Sequence, residues 1–147
     1  MIILCIGCSE KKNESTQSKQ EQAIEWRELN HKDSIPEIFK MALVQINNGA
    51  FELANPDEIF NSTDVREDSL LNMKLSLLLE KNNEWRISYV RGGFAKHYAY
   101  AQCKIYEDSL SDLKIAESVL SLDNIDSIEK YISNGNIELK KIKVTME

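Results

Sequence analysis

The chain is poor in the residues from which catalytic and metal centres are usually built. It has two histidines, three cysteines and two tryptophans in 147 residues. Three cysteines and two histidines at these spacings assemble no zinc pattern, so neither a metal nor another cofactor is called for. There is no Gly-x-Ser-x-Gly elbow, and Gly92-Gly93 is no phosphate loop, since it lacks a Gly-Lys-Ser/Thr ending and a following helix. A basic cluster is missing too. The formal net charge of −6 repels phosphate backbones, which argues against a nucleic-acid partner, and it offers nothing to anionic headgroups. No apolar run approaches the roughly 18 residues of a spanning helix. With five glycines and two prolines, punctuation is sparse and falls at a few identifiable turns.

What is present begins at the N-terminus. Met-Ile-Ile-Leu-Cys-Ile-Gly-Cys ends a short apolar run at Cys8, and a polar tract from Ser9 to Gln22 without one apolar residue follows at once. The pair Gly7-Cys8 resembles the end of a bacterial lipoprotein signal, in which a small residue precedes the cysteine that receives lipid. The pattern departs from the family at Cys5, which stands where leucine is preferred, with Leu4 one place early. The run is shorter than a signal core of roughly 7–15 residues and no Lys or Arg precedes it; a start codon upstream would supply both. The resemblance implies lipidation at Cys8, a location at the bacterial cell envelope and membrane attachment through that lipid alone. The competing reading is a frayed hydrophobic N-terminus on a cytoplasmic protein. Residues 1–8 are thus a remnant signal, residues 9–22 a disordered tether of Ser, Gln, Glu, Lys and Asn, and residues 23–147 one domain. With Cys5 removed and Cys8 lipidated, Cys103 stands alone and reads as a small buried hydrophobe.

The domain reads as α+β: an antiparallel meander of four to six strands with two or three packing helices. Ser34 and Glu37 form a capping box with Pro36 in the first turn. Ile35, Ile38, Phe39, Ala42 and Ile46 then recur on one helical face until Asn47-Asn48-Gly49 ends it. Phe51 and Leu53 suit a short strand closed by Asn55-Pro56. Residues 57 to 70 are loop-like, with Ser62, Thr63 and Asp64 as turn formers. Three runs of period-two alternation follow, around Met73–Glu80, Trp85–Tyr89 and Phe94–Tyr106. A two-residue turn at Gly92-Gly93 places Trp85 opposite Tyr100, Ile87 opposite Tyr98 and Ser88 opposite His97. Burying three leucines on one face favours a three-residue loop over Asn82 to Glu84, with Leu79 facing Ile87, Leu77 facing Tyr89 and Glu80 facing Arg86. One face is then heavy in Leu, Trp and Tyr. The lighter face carries Ala95, Ala99 and Cys103, to be left half open or packed closely by a second element. Leu113, Ile115 and Val119 fit strand or helix, with strand preferred. Asp123 to Ser133 suits a helix, and residues 137 to 146 a last strand whose phase slips at Lys140-Lys141, implying a bulge. Phe60–Val65 and Trp85–Tyr98 are similar to a small family of bacterial proteins without assigned function, which implies a compact domain and no activity.

Arg86, Arg91 and His97 form the candidate binding surface, able to hold an anion together. His97 could serve as a base, but a base needs an orienting partner and none is identifiable, so no catalytic residue is assigned. Asp123, Asp126 and Glu129 have calcium-loop spacing but lack its glycine and closing glutamate. The function these features favour is a non-enzymatic, lipid-tethered envelope domain that binds a protein or a small molecule. The alternative is an immunity protein that neutralises a basic toxin through its acidic surface, and an enzyme ranks third. If Cys8 carries the anchor, Cys8→Ser releases the protein from membranes into the soluble fraction with an unchanged circular-dichroism spectrum. Membrane partitioning that survives the substitution refutes the anchor.

Overall fold

The computed structural model describes residues 25–146; Cys8, the residue expected to carry lipid, and the polar tract lie outside the described residues. The fold is α+β, a six-stranded antiparallel sheet in meander order with two helices. The elements are β1 (Arg27–Glu28), α1 (Glu37–Ile46), β2 (Met73–Lys81), β3 (Glu84–Arg91), β4 (His97–Tyr106), β5 (Ser109–Ser118), α2 (Ile125–Ser133) and β6 (Lys140–Lys141). Residues 109–118, ambiguous by pattern, are strand.

Both faces of the sheet are buried. Phe39, Ala42 and Leu43 of α1 pack on Leu75, Leu78, Ile87, Tyr89 and the small residues Ala99, Ala101 and Cys103. On the other face Ile128 of α2, with Leu122 and Ile137, packs on Leu77, Leu79 and Tyr100. Large residues of β3 stand opposite small ones of β4: Trp85 faces Cys103, Ile87 faces Ala101 and Tyr89 faces Ala99. That pairing thins the β4 side of the sheet where α1 lies down on it. The alanine-bearing face is therefore the closely packed one, and not a half-open one.

The strand registers differ from those the pattern suggests, for one physical reason. Asn82 and Asn83 form a two-residue loop between the pair Lys81 and Glu84, with Asn82 in the left-handed region at φ 54°, a conformation asparagine tolerates. Leu78 accordingly faces Ile87, Leu79 faces Arg86 and Leu77 faces Ser88. The argument for the longer loop assumed one buried face. With two, no leucine is wasted, because a bulge between Leu75 and Leu77 sends Leu75 and Leu78 to the α1 side and Leu77 and Leu79 to the α2 side. All four are nearly inaccessible.

Gly92-Gly93 is likewise no tight turn. Arg91 pairs with His97, leaving a loop of residues 92–96, and Ser88 faces Tyr100. A Cβ on Gly92 would lie 1.9 Å from the carbonyl oxygen of Asn61. The glycine is there for that close approach, with Asn61 buried and bonded to Val65 O at 2.8 Å.

The helix ends also depart in detail. Pro36 is the N-cap of α1 and makes no side-chain cap, while Ser34 closes a 3-10 turn over Lys32–Ser34, so the capping box does not form. Helix α1 stops at Asn47 and Gly49, whose φ is +90°. Helix α2 is capped by the Asn124 side chain, which accepts from Ser127 N–H at 2.8 Å. In place of a strand at Phe51–Leu53 there is one parallel bridge, Ala54 to Lys74. The apparent slip at Lys140-Lys141 is a change of face: Ile137 and Leu139 pack on the α2 side, Ile142, Val144 and Met146 on the α1 side.

Gly92→Ala tests the close approach. The added methyl must displace main chain, so unfolding in urea should show a loss of about 2 kcal/mol, within the usual range for overpacking. A midpoint equal to that of the parent chain refutes the contact.

Candidate functional site

Of the three residues singled out by sequence, Arg91 and His97 are paired across β3 and β4, while Arg86 is on the other face of the sheet. Arg86 and Arg91 are on opposite faces of β3. Arg86 points to the α2 side, where its guanidinium stacks over the Trp26 ring at 4.2 Å and pairs with Glu129; only 16% of its side chain is exposed. Cation–π contact and a charged hydrogen bond satisfy it locally, so it fastens α2 to the sheet. Arg91 is on the α1 side. It pairs with Glu117 at 3.1 Å, donates to Asn47 Oδ1 and lies over the Tyr89 ring at 5.6 Å. Asn47 in turn donates to Leu43 O at 2.7 Å and to Tyr89 Oη at 3.0 Å. The cluster holds the C-terminal end of α1, where a cation is favourable. His97 is partly exposed at the first position of β4, with Nδ1 3.2 Å from Ala95 O. No shared anion site results. Among the described residues no group of three His, Cys, Asp or Glu is placed to hold a metal ion.

Arg86 and Arg91 each line a smaller hollow, and a larger one is elsewhere. A groove of about 720 Å3 runs along the outer side of α1, within the volume range of small-molecule sites. One wall is a helical stripe at spacings of three and four: Glu37, Lys40, Met41, Val44 and Gln45. The other is Phe51, Leu53 and Leu71. Helix α1 thus has apolar residues on two sides. Phe39, Ala42 and Leu43 face the sheet, whereas Met41, 41% exposed, and Val44 face the groove. Phe51 is fixed edge-on against Tyr89, with ring centroids 5.3 Å apart at 74°. The groove continues past Val44, Phe51 and Leu71 into a second hollow of about 560 Å3 that ends beside Asn72 and Met73.

Asn55 ties the groove residue Lys32 to the segment after Leu53. Its Oδ1 accepts the Lys32 N–H at 2.9 Å, and its own N–H donates to Glu58 Oε2 at 2.7 Å. That backbone hydrogen bond holds the Glu58 carboxyl below its ordinary range. Asn55 is buried, so it fixes Lys32 and the loop after Leu53 together.

Sequence reading missed this site. Its signal was Met41 and Val44, apolar residues off the core stripe of a helix, but two such residues on a surface helix are common. The chemistry the groove offers is binding: an apolar floor with charged groups at the rim. No family model, no curated protein and no solved structure matches this chain.

Cys103 is 3% exposed on the α1 side, and burial pushes its thiol from an ordinary 9.0 up to about 12. Burial also pushes the Tyr100 phenol above its ordinary 10.0, with Arg86 opposing. A group raised in the folded state favours folding below its unfolded pKa and loses that contribution as pH rises through the folded one. Stability should therefore be insensitive to Cys103 below pH 9 and fall between pH 9 and 12. Urea denaturation across that window should show a shallower decline for Cys103→Ala; parallel declines refute the assignment.

Proposed function

We propose that this chain is a binding protein of the bacterial cell envelope, held to the membrane by lipid on Cys8, and that the groove beside α1 takes a small amphipathic ligand. The observation that carries the reading is the hollow itself, walled by Met41 and Val44 of α1 on one side and Phe51, Leu53 and Leu71 on the other. Met41 and Val44 face Phe51 and Leu71 across an open groove, where a helix with one buried face would carry polar residues. A concave, largely apolar cavity with a few charged groups at its edge is the usual form of a small-molecule site. The anchor rests on the resemblance around Gly7-Cys8. Among the described residues no helix is long and apolar enough to cross a membrane.

The ligand reading is tested with N-phenyl-1-naphthylamine, an uncharged probe whose fluorescence rises in apolar surroundings. The full chain should bind it saturably at one site. Val44→Arg, which places a charge on the exposed wall of the groove and not in the core, should weaken binding at least tenfold at unchanged melting temperature. No saturable binding, or equal binding by the variant, overturns the proposal.

A further inference from the structure

The two ends of the sheet show different side chains to solvent. At one end the turns are Asn82-Asn83 and Glu107-Asp108, polar throughout, with Tyr106 beside them. At the other end β2 begins, β3 ends, β4 begins and β5 ends, and the loops there carry large apolar side chains in water. Phe94 is 96% exposed, Val119 80% and Val65 72%. The backbone brings all three to that end. Arg91 pairs with His97 and Tyr98 with Ser118, so the loop bearing Phe94 leaves the sheet next to the segment bearing Val119. The carbonyl oxygen of Asn61 lies against Gly92, and the Asn61 side chain donates to Val65 O at 2.8 Å, which fixes the third loop beside the first. A lone exposed apolar residue is ordinary. Several on loops that meet at one end of a rigid sheet are the usual mark of a contact site.

Charge selects what fits there. The loop that carries Val65 also carries Asp57, Glu58, Asp64, Glu67 and Asp68, all exposed, against Arg66 alone, which is taken up by Asp68 at 3.4 Å. The other cations of this end are engaged as well. Arg91 pairs with Glu117, and Lys96 stands over the Tyr98 ring at 6.0 Å. Among the described residues Asp64 and Glu67 are ion-paired with no cation. Carboxylates around an apolar tip repel an anionic leaflet and attract a basic surface. The described chain also enters the domain at the opposite end, where Arg27 is paired with Glu80, which leaves the Phe94 end clear of it.

We infer that this end of the sheet docks a basic protein. Phe94 enters an apolar pocket of the partner, Val65 and Val119 pack beside it, and the carboxylates of the Val65 loop face lysines or arginines around that pocket. An aromatic anchor carries most of the energy in such a contact, and the charges around it speed encounter and exclude wrong partners. None of the three apolar residues lines the groove beside α1, so the inference is independent of the ligand proposed for it.

A short amphipathic helical peptide of leucine and lysine presents an apolar surface with a basic surround and nothing else, and its leucine–glutamate counterpart presents the opposite charge. Fluorescence anisotropy of each labelled peptide with the full chain tests the inference. The lysine peptide should bind at least tenfold more tightly than the glutamate peptide. Phe94→Ser should weaken it at least tenfold at unchanged melting temperature, because the ring it removes is in solvent. Asp64→Asn, Glu67→Gln and Asp68→Asn made together should slow association and flatten its dependence on salt. No binding of the lysine peptide, equal binding by Phe94→Ser, or a salt dependence that the three substitutions leave unchanged overturns the inference. Phe94-dependent binding to vesicles of phosphatidylcholine and phosphatidylglycerol overturns it in favour of a membrane contact. A dimer in sedimentation that Phe94→Ser dissociates overturns it in favour of a second copy of this chain.

Discussion

The constraint on which the fold depends is that one sheet must satisfy two apolar layers. Strand β2 shows how. Four of its leucines lie within five positions, 75, 77, 78 and 79, too dense for strict alternation against one layer. The bulge after Leu75 inserts one residue into the count, and the leucines then divide evenly between the α1 and α2 sides. Everything downstream keeps to that division. The small residues of β4 make room for α1, Tyr98 and Tyr100 turn to α2, and the last segment changes sides between Leu139 and Ile142. Burial of a single leucine is worth about 1.5–3 kcal/mol, so a register that exposed even one would lose much of a small domain's net stability.

This constraint also marks what could be read in the sequence. Strands β2 to β4, their meander order and both helices were legible, because period-two and period-3.6 repeats appear in the order of residues; the two-residue β1 carries no repeat, and β5 fits strand or helix alike. The registers were not. Leu77, Leu78 and Leu79 form a continuous apolar run, and such a run carries no phase; one buried face was assumed, and the loop at Asn82 was lengthened to suit it. The same assumption turned the change of face near Lys140 into an imagined bulge. Gly92 misled for another reason. A glycine needed for close approach to Asn61 looks, in a sequence, the same as one needed for a turn. The groove was illegible because its walls come from separate segments, α1 and the chain around Phe51 and Leu71, and no local pattern joins them.

The arginines illustrate how position in a fold assigns work to a side chain. Arg86 and Arg91 are five residues apart on one strand and therefore face opposite layers. Arg86 is held by the Trp26 ring and by Glu129 of α2, Arg91 by the Tyr89 ring of its own strand and by Glu117 of β5. Both fasten helices to the sheet, α2 in one case and the end of α1 in the other. The lysines at the groove differ in this respect, since neither is ion-paired within the described domain.

The outermost strands, Arg27–Glu28 and Lys140–Lys141, are two residues long and fully charged. An edge of that kind offers few unpaired amides and carbonyls, and it surrounds them with strongly hydrated side chains. Each outer strand covers only two residues of a longer neighbour, β2 or β5, and places charge at the margin of the sheet, where hydrated side chains oppose the addition of another strand.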